Sequence, residues 1–309
     1  MRWKGRRGSG NIEDRRGARR GPGGGMGGFG RRGRGGTIRI GSRGAKAGGI
    51  GGLGLIAVVL IGMFLGVDMT PFLGGGGGAV STGPAAVQRP LSERERQEGQ
   101  FVSVVLADTE EVWAEIFREQ VGRPYDPVTL VLYSQVTQSP CGSASGATGP
   151  FYCPADDKVY LDTAFFTTLE ERLGARGDFA AAYVVAHEVA HYVQDELGIL
   201  GEANAIRRQV GEAESNAISV RIELQADCYS GLWARYAADR LGVVERGDIE
   251  EAVNAARRIG DDHLARSAGR VPMPHTFTHG TSEQRSRWFA TGYDRGDIRA
   301  CDTFSAERL

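Results

Sequence analysis

The chain has 309 residues, 41% of them hydrophobic and 24% charged, with a formal charge of −1, the profile of an ordinary globular protein. That near-neutral total is uneven: residues 1–46 hold 14 Lys/Arg against Glu13 and Asp14, a net of +12, so the other 263 residues carry −13. The basic charge therefore marks an N-terminal arm and excludes a basic patch spread over the folded part.

The arm (residues 1–46) contains RRG, RRGRGG and GPGGGMGGFG. It has too few large apolar residues to build a core and is expected to be disordered. It is similar to an RG-rich RNA-binding tail, but no aromatic set accompanies its arginines for base stacking. A cytoplasmic, topology-setting tail attracted to anionic headgroups is the better expectation, and nucleic acid is not an expected partner. From Ala47 to Val67 the chain runs 21 residues without a charge, about 31 Å as a helix and so about the thickness of the hydrocarbon core. A single transmembrane helix is expected at 47–67. A signal peptide would be shorter, with a shorter leader and a small-residue cleavage site, and an apolar core helix is the other alternative. Arg39, Arg43 and Lys46 precede the span, whereas only Asp68 and no Lys or Arg before Arg89 follow it. By the positive-inside rule this is an inner-membrane protein with a cytoplasmic N-terminus and an extracytoplasmic C-terminal domain, periplasmic in a Gram-negative cell.

Residues 68–90, with consecutive glycines from Gly74 to Gly78, read as a flexible linker. Of the 47 glycines, 29 lie in residues 1–84, so the folded domain is placed at 91–309. All four cysteines fall in that domain. The expected disulfides are Cys141 with Cys153, across a Gly/Ser-rich segment, and Cys228 with Cys301, tying the C-terminus to a long helix.

The domain reads as α+β and mainly helical. A first helix is expected around Phe101 to Gln120, a strand at Val128 to Gln135, an irregular stretch from Ser139 to Pro154, and an alternating edge strand at Asp157 to Asp162. Asp178 is a candidate N-cap for a helix of about 19 residues, FAAAYVVAHEVAHYVQDEL, ending before Gly198. Further helices are expected from Ser215 to about Leu241 and from Asp248 to Ile259. A last helix opens with capping-box spacing at Thr281 and Gln284 and ends near Gly292.

Chemistry concentrates in HEVAH. His187 and His191 are four residues apart, about 40° of helical azimuth, so their imidazoles leave one face together and can chelate. Glu188 lies about 100° round from His187, beside the metal rather than on it, where it can take a proton from water. An otherwise apolar helix tolerates such polar groups only when they have partners. A catalytic zinc takes three protein ligands and keeps one position open. Among Glu196, Glu202, Glu212, Glu214, Glu223 and Asp227, Glu223 stands on a well-patterned helix and has Asp227 one turn on. That pattern makes Glu223 the third ligand and Asp227 a carboxylate supporting a ligand imidazole.

HEVAHYVQ (His187 to Gln194), ELQADCYSGLW (Glu223 to Trp233), CG…GPFYCPADDKVYLD (Cys141 to Asp162), THGTSEQR (Thr278 to Arg285) and CDTF (Cys301 to Phe304) resemble the putative neutral zinc metallopeptidase family of bacterial membrane-anchored proteins. The resemblance covers about residue 90 to the end. It implies a zincin-like domain with one zinc per chain, related in outline to gluzincin peptidases that use HExxH and a glutamate in an ExxAD block. Under it His187, His191 and Glu223 are ligands, Glu188 is the base, Asp227 is a supporting residue, and the partner is a peptide or protein substrate. Related peptidases place a histidine and an arginine near the domain's end to stabilise the tetrahedral intermediate, which implies that role for His279. Those relatives have HP where this chain has His279-Gly280, and Arg285 is either a second donor or a surface ion pair. Substrate backbone is expected to pair with the strand carrying Val159, Tyr160 and Leu161. A zinc-binding but inactive envelope scaffold is the competing reading.

Overall fold

Ser92 opens the first helix, α1 (Glu93–Ile116), by a capping box in which its side chain and that of Glu95 each accept from the other's backbone N–H. The helix runs on as a short π-helical turn and stops at Gly122, whose φ of 83° closes the end. This computed structural model describes residues 1–17, 90–145 and 149–309. The apolar segment 47–67 and the linker up to residue 89 lie outside the described residues. Among the described residues no helix is long and apolar enough to cross a membrane.

The strands are β1 (Ile12–Asp14), β2 (Thr129–Tyr133), β3 (Val136–Ser139), β4 (Gly142–Ser145), β5 (Phe151–Cys153) and β6 (Lys158–Asp162). One sheet has the order β1-β2-β6-β5. β1, β2 and β6 run parallel, and β5 pairs antiparallel to β6. β3 and β4 form a separate antiparallel hairpin, and β4 and β5 both lie in the stretch expected to be irregular. Two expectations fail here. The strand carrying Val159, Tyr160 and Leu161 is not an edge: β6 lies between β2 and β5, and all three residues are buried. Alternation along a strand reports its two faces, not how many neighbours it has. Among the described residues the sheet edge beside the helices is β5.

The second failure concerns the first part of the arm: residues 1–17 are folded, and residues 18–46 lie outside the described residues. Ile12, Glu13 and Asp14 pair with Leu130, Val131 and Leu132, Met1 and Arg16 are buried, and Trp3 meets Phe101 edge-on at 5.4 Å. A composition-based expectation of disorder counts core-forming side chains; this segment instead borrows the domain's core by adding a strand to its sheet.

The helices after the sheet are α2 (Ala164–Glu171), α3 (Asp178–Glu196), α4 (Ile199–Arg207), α5 (Glu212–Tyr236), α6 (Asp248–Arg258), α7 (Asp261–Ser267) and α8 (Ser282–Arg295). α3 is the central element, packed against α1, α5 and α6, with an almost unbroken buried run from Phe179 to Gln194. That burial explains a stretch apolar on all sides. Gly177, not Asp178, is its N-cap.

α5 and α8 make the largest helix–helix contact, and two glycines allow it. A Cβ on Gly231 would fall 1.9 Å from the Phe289 carbonyl oxygen, and one on Gly292 1.8 Å from that of Cys228. Gly292 is therefore a crossing residue within α8 and not its end, which falls at Gly296. Gly231→Ala should lower stability by about 1–3 kcal/mol, the usual cost of overpacking a filled contact, measured by denaturant unfolding. The Thr281–Gln284 capping box forms as expected, and so do the disulfides Cys141–Cys153 and Cys228–Cys301.

Candidate metal centre

α3 and α5 bring His187, His191 and Glu223 together, with ligand-capable atoms all within 4.8 Å of one another. His187 Nε2 lies 3.1 Å from Glu223 Oε2 and His191 Nε2 3.6 Å from Glu223 Oε1. Two imidazole nitrogens and a carboxylate are a donor set that suits zinc and leaves a fourth position open.

What stands behind each imidazole decides which nitrogen faces the centre. His191 Nδ1 is 2.8 Å from Gln194 Oε1. The Gln194 amide is oriented in turn, because its Nε2 donates to the Ile222 carbonyl at 2.8 Å and to Gln225 Oε1 at 3.0 Å. Gln225 Nε2 donates to the Cys301 carbonyl at 3.1 Å. The acceptor is thus fixed, the proton sits on Nδ1, and Nε2 presents its lone pair to a metal. This relay was not foreseen from sequence; the only signal was Gln194 three residues after a ligand histidine. Gln194→Leu should weaken zinc binding about 10- to 100-fold, the usual cost of losing such a partner, measured by competition with a chromogenic chelator.

His187 Nδ1 lies 3.0 Å from Asp227 Oδ1, though without the alignment of a full hydrogen bond. Asp227 is fully buried. It also accepts from the Tyr183 hydroxyl and is gripped by Arg285 through Nε at 2.8 Å and Nη2 at 3.0 Å. Burial alone would raise the Asp227 carboxyl, but Arg285 and His187 outweigh it and hold it low. Arg285 is therefore not a surface ion pair, and it also donates to the Ile259 carbonyl at 3.4 Å and to the Tyr183 hydroxyl at 3.3 Å. It is 2% exposed and serves to position Asp227, with one nitrogen 4.0 Å from Glu223.

Burial also works against a charged His187, yet the carboxylates of Asp227 and Glu223 raise it to about 9. Burial pushes Glu223 upward, and the charges of His191, His279 and His187 pull it well below the carboxylate range. A protonated His187 could not ligate a metal, so zinc affinity should rise with pH, by about tenfold per unit for one proton released, and flatten above pH about 9. Chelator competition across neutral pH measures this slope. Glu188, next to His187 on α3, is buried, and burial raises its carboxyl above the usual range despite the two nearby histidines.

His279 stands on the loop before α8. Asp261 Oδ2 accepts the backbone N–H groups of Thr278, His279 and Gly280 at 2.9, 2.7 and 3.0 Å, and its Oδ1 lies 3.2 Å from His279 Nδ1. Gly280 has φ +90° and donates its N–H, neither of which proline can do, so this loop is set differently from an HP loop. Nothing in the sequence marked Asp261. His263 is half-buried and His275 is exposed. A second acidic cluster, Asp178, Asp248 and Glu251, already holds a cation: the Met1 ammonium is 2.6 Å from Asp178 and 3.3 Å from Asp248.

A buried HExxH helix facing a glutamate on a second helix defines a candidate zinc-hydrolase centre. The chain belongs to the family described as putative neutral zinc metallopeptidase, which it matches over residues 1–304. It is 45% identical to the uncharacterized protein YpfJ of Escherichia coli K12 over 98% of this chain and 99% of that protein. It is 44% identical to the uncharacterized protein Rv2575 of Mycobacterium tuberculosis H37Rv, over 58% of this chain and 62% of that one. No solved structure matches the chain.

Proposed function

We propose that the chain is a zinc-dependent peptidase that hydrolyses peptide bonds, with one zinc per chain held by His187, His191 and Glu223. The observation that carries this reading is the convergence of those three side chains from two buried helices, each imidazole backed by an oxygen acceptor. Zinc, when bound, supplies Lewis-acid polarisation of a carbonyl and acidifies a water. Glu188 accepts the proton of the attacking water and returns it to the leaving amine; its raised affinity for a proton suits both halves of that task. The edge strand β5 lies beside α3, with Tyr152 donating to Asp195 at 2.8 Å, and supports an extended substrate by strand addition.

His279, held by Asp261, is proposed to donate to the developing oxyanion. His279→Ala should keep zinc and fold while turnover falls about 100- to 1,000-fold, with little change in KM. Steady-state kinetics alongside zinc analysis checks this. The apolar segment 47–67 is proposed to anchor the enzyme to a membrane. The reading as a whole is tested with the purified full chain and an unstructured protein substrate. Chelation should abolish cleavage and stoichiometric zinc restore it, whereas full cleavage by the zinc-free chain would overturn the proposal. An inactive scaffold would bind zinc and cleave nothing.

A further inference from the structure

Residues 1–16 are attached to the folded domain along their whole length, by three independent kinds of contact. The first is backbone pairing: β1 runs parallel to β2, the Leu130 N–H donates to the Asn11 carbonyl at 2.9 Å, and the Arg15 N–H donates to that of Leu132 at 2.7 Å. Ser9 N–H donates to the Ser103 carbonyl at 2.8 Å.

The second is polar pairing with side chains of the domain. Arg6 pairs with the buried Asp108, Ser9 and Asn11 donate to Glu110 at 2.5 and 2.8 Å, and Lys158 reaches Glu13 at 2.9 Å. The third is packing: Trp3 against Phe101, and the buried Arg16 guanidinium over Gly99, where a Cβ would fall 2.2 Å from its Nη2.

A strand ladder and direct ion pairs need atomic contact, and a bilayer puts about 30 Å of hydrocarbon between its two sides. We infer that residues 1–17 and residues 90–309 lie on the same side of whatever membrane the chain binds. A chain that crossed once between residues 17 and 90, with the arm in the cytoplasm and the domain outside, would have to give up every one of these contacts. The flanking charges and the disulfides had each been assigned a different side. Both are indirect indicators of compartment, whereas the β1–β2 pairing is a direct contact.

The test uses the full chain in its native membrane. All four cysteines are in disulfides, so Lys4→Cys and Ser267→Cys, both at exposed positions, each introduce a single reactive thiol. A membrane-impermeant maleimide is applied to intact cells and then to permeabilised ones. The same pattern for both variants is expected, either labelled from outside or only after permeabilisation. One variant labelled from outside and the other only after permeabilisation overturns the inference. Hydrogen exchange on the unmodified chain in its membrane gives a second reading that no substitution can disturb. The amides of Arg15 and Leu130 should be protected, and immediate exchange of both would equally overturn it.

Discussion

Glu188→Gln should retain zinc and fold and lose turnover by about 10²- to 10⁴-fold, the contribution expected of a positioned proton-transfer group. The side chains are nearly isosteric, Glu188 is buried at 9% exposure, and it is not among the three converging ligand residues. Removing its charge takes away the proton acceptor without opening a cavity. A neutral glutamine should also be tolerated by a site that already disfavours the carboxylate, so the melting temperature should stay level or rise. Kinetics, zinc content and thermal unfolding on one preparation separate the three effects. Wild-type turnover in this variant would remove Glu188 from the reaction. Proteins accumulating uncleaved in a strain carrying it would identify the substrates of the proposed activity.

Asp227→Ala should be the most damaging substitution for stability outside the ligands. It leaves the fully buried Arg285 without its carboxylate and Tyr183 without its acceptor. Breaking one side of a buried pair costs about 3–5 kcal/mol because the remaining charge stays uncompensated. At about 2–4 °C per kcal/mol for a domain of this size, melting should fall by about 6–20 °C. His187 would also lose the group behind it, so zinc affinity should drop together with stability. Asp227→Ala combined with Arg285→Met should recover much of the stability but not the affinity, because the hydrophobic replacement removes the stranded charge while nothing orients the imidazole.

The parts of the centre legible in the sequence obey helix geometry. His187 and His191 share a face because they are four apart, and Glu223 and Asp227 repeat that spacing on the opposing helix. The disulfides followed from closing a loop across the Gly/Ser-rich segment and from tying the C-terminus to the long helix that carries Glu223. What could not be read depends on contacts between distant segments. Gln225 and the Cys301 carbonyl support His191 only once the C-terminus folds back over α5. Asp261 holds His279 from 18 residues away. Arg285 read as ambiguous because burial, and not residue type, makes it a positioning group. Docking of residues 1–17 was the largest omission, since Trp3 and Ile12 are too sparse to show a pattern and the pairing is largely through backbone. β6 was mistaken for an edge because a five-residue strand shows the same alternation with one neighbour or two.

The HEVAH pair alone does not make a zinc site, so the third ligand decides whether this centre holds zinc. The most direct measurement is the zinc content of the purified full chain beside its Glu223→Ala variant, after dialysis against a weak chelator. The wild-type chain should retain about one zinc per chain, completing a three-ligand catalytic set, and the variant should lose most of it. Zinc retained at the wild-type level in Glu223→Ala would contradict the assignment of the centre.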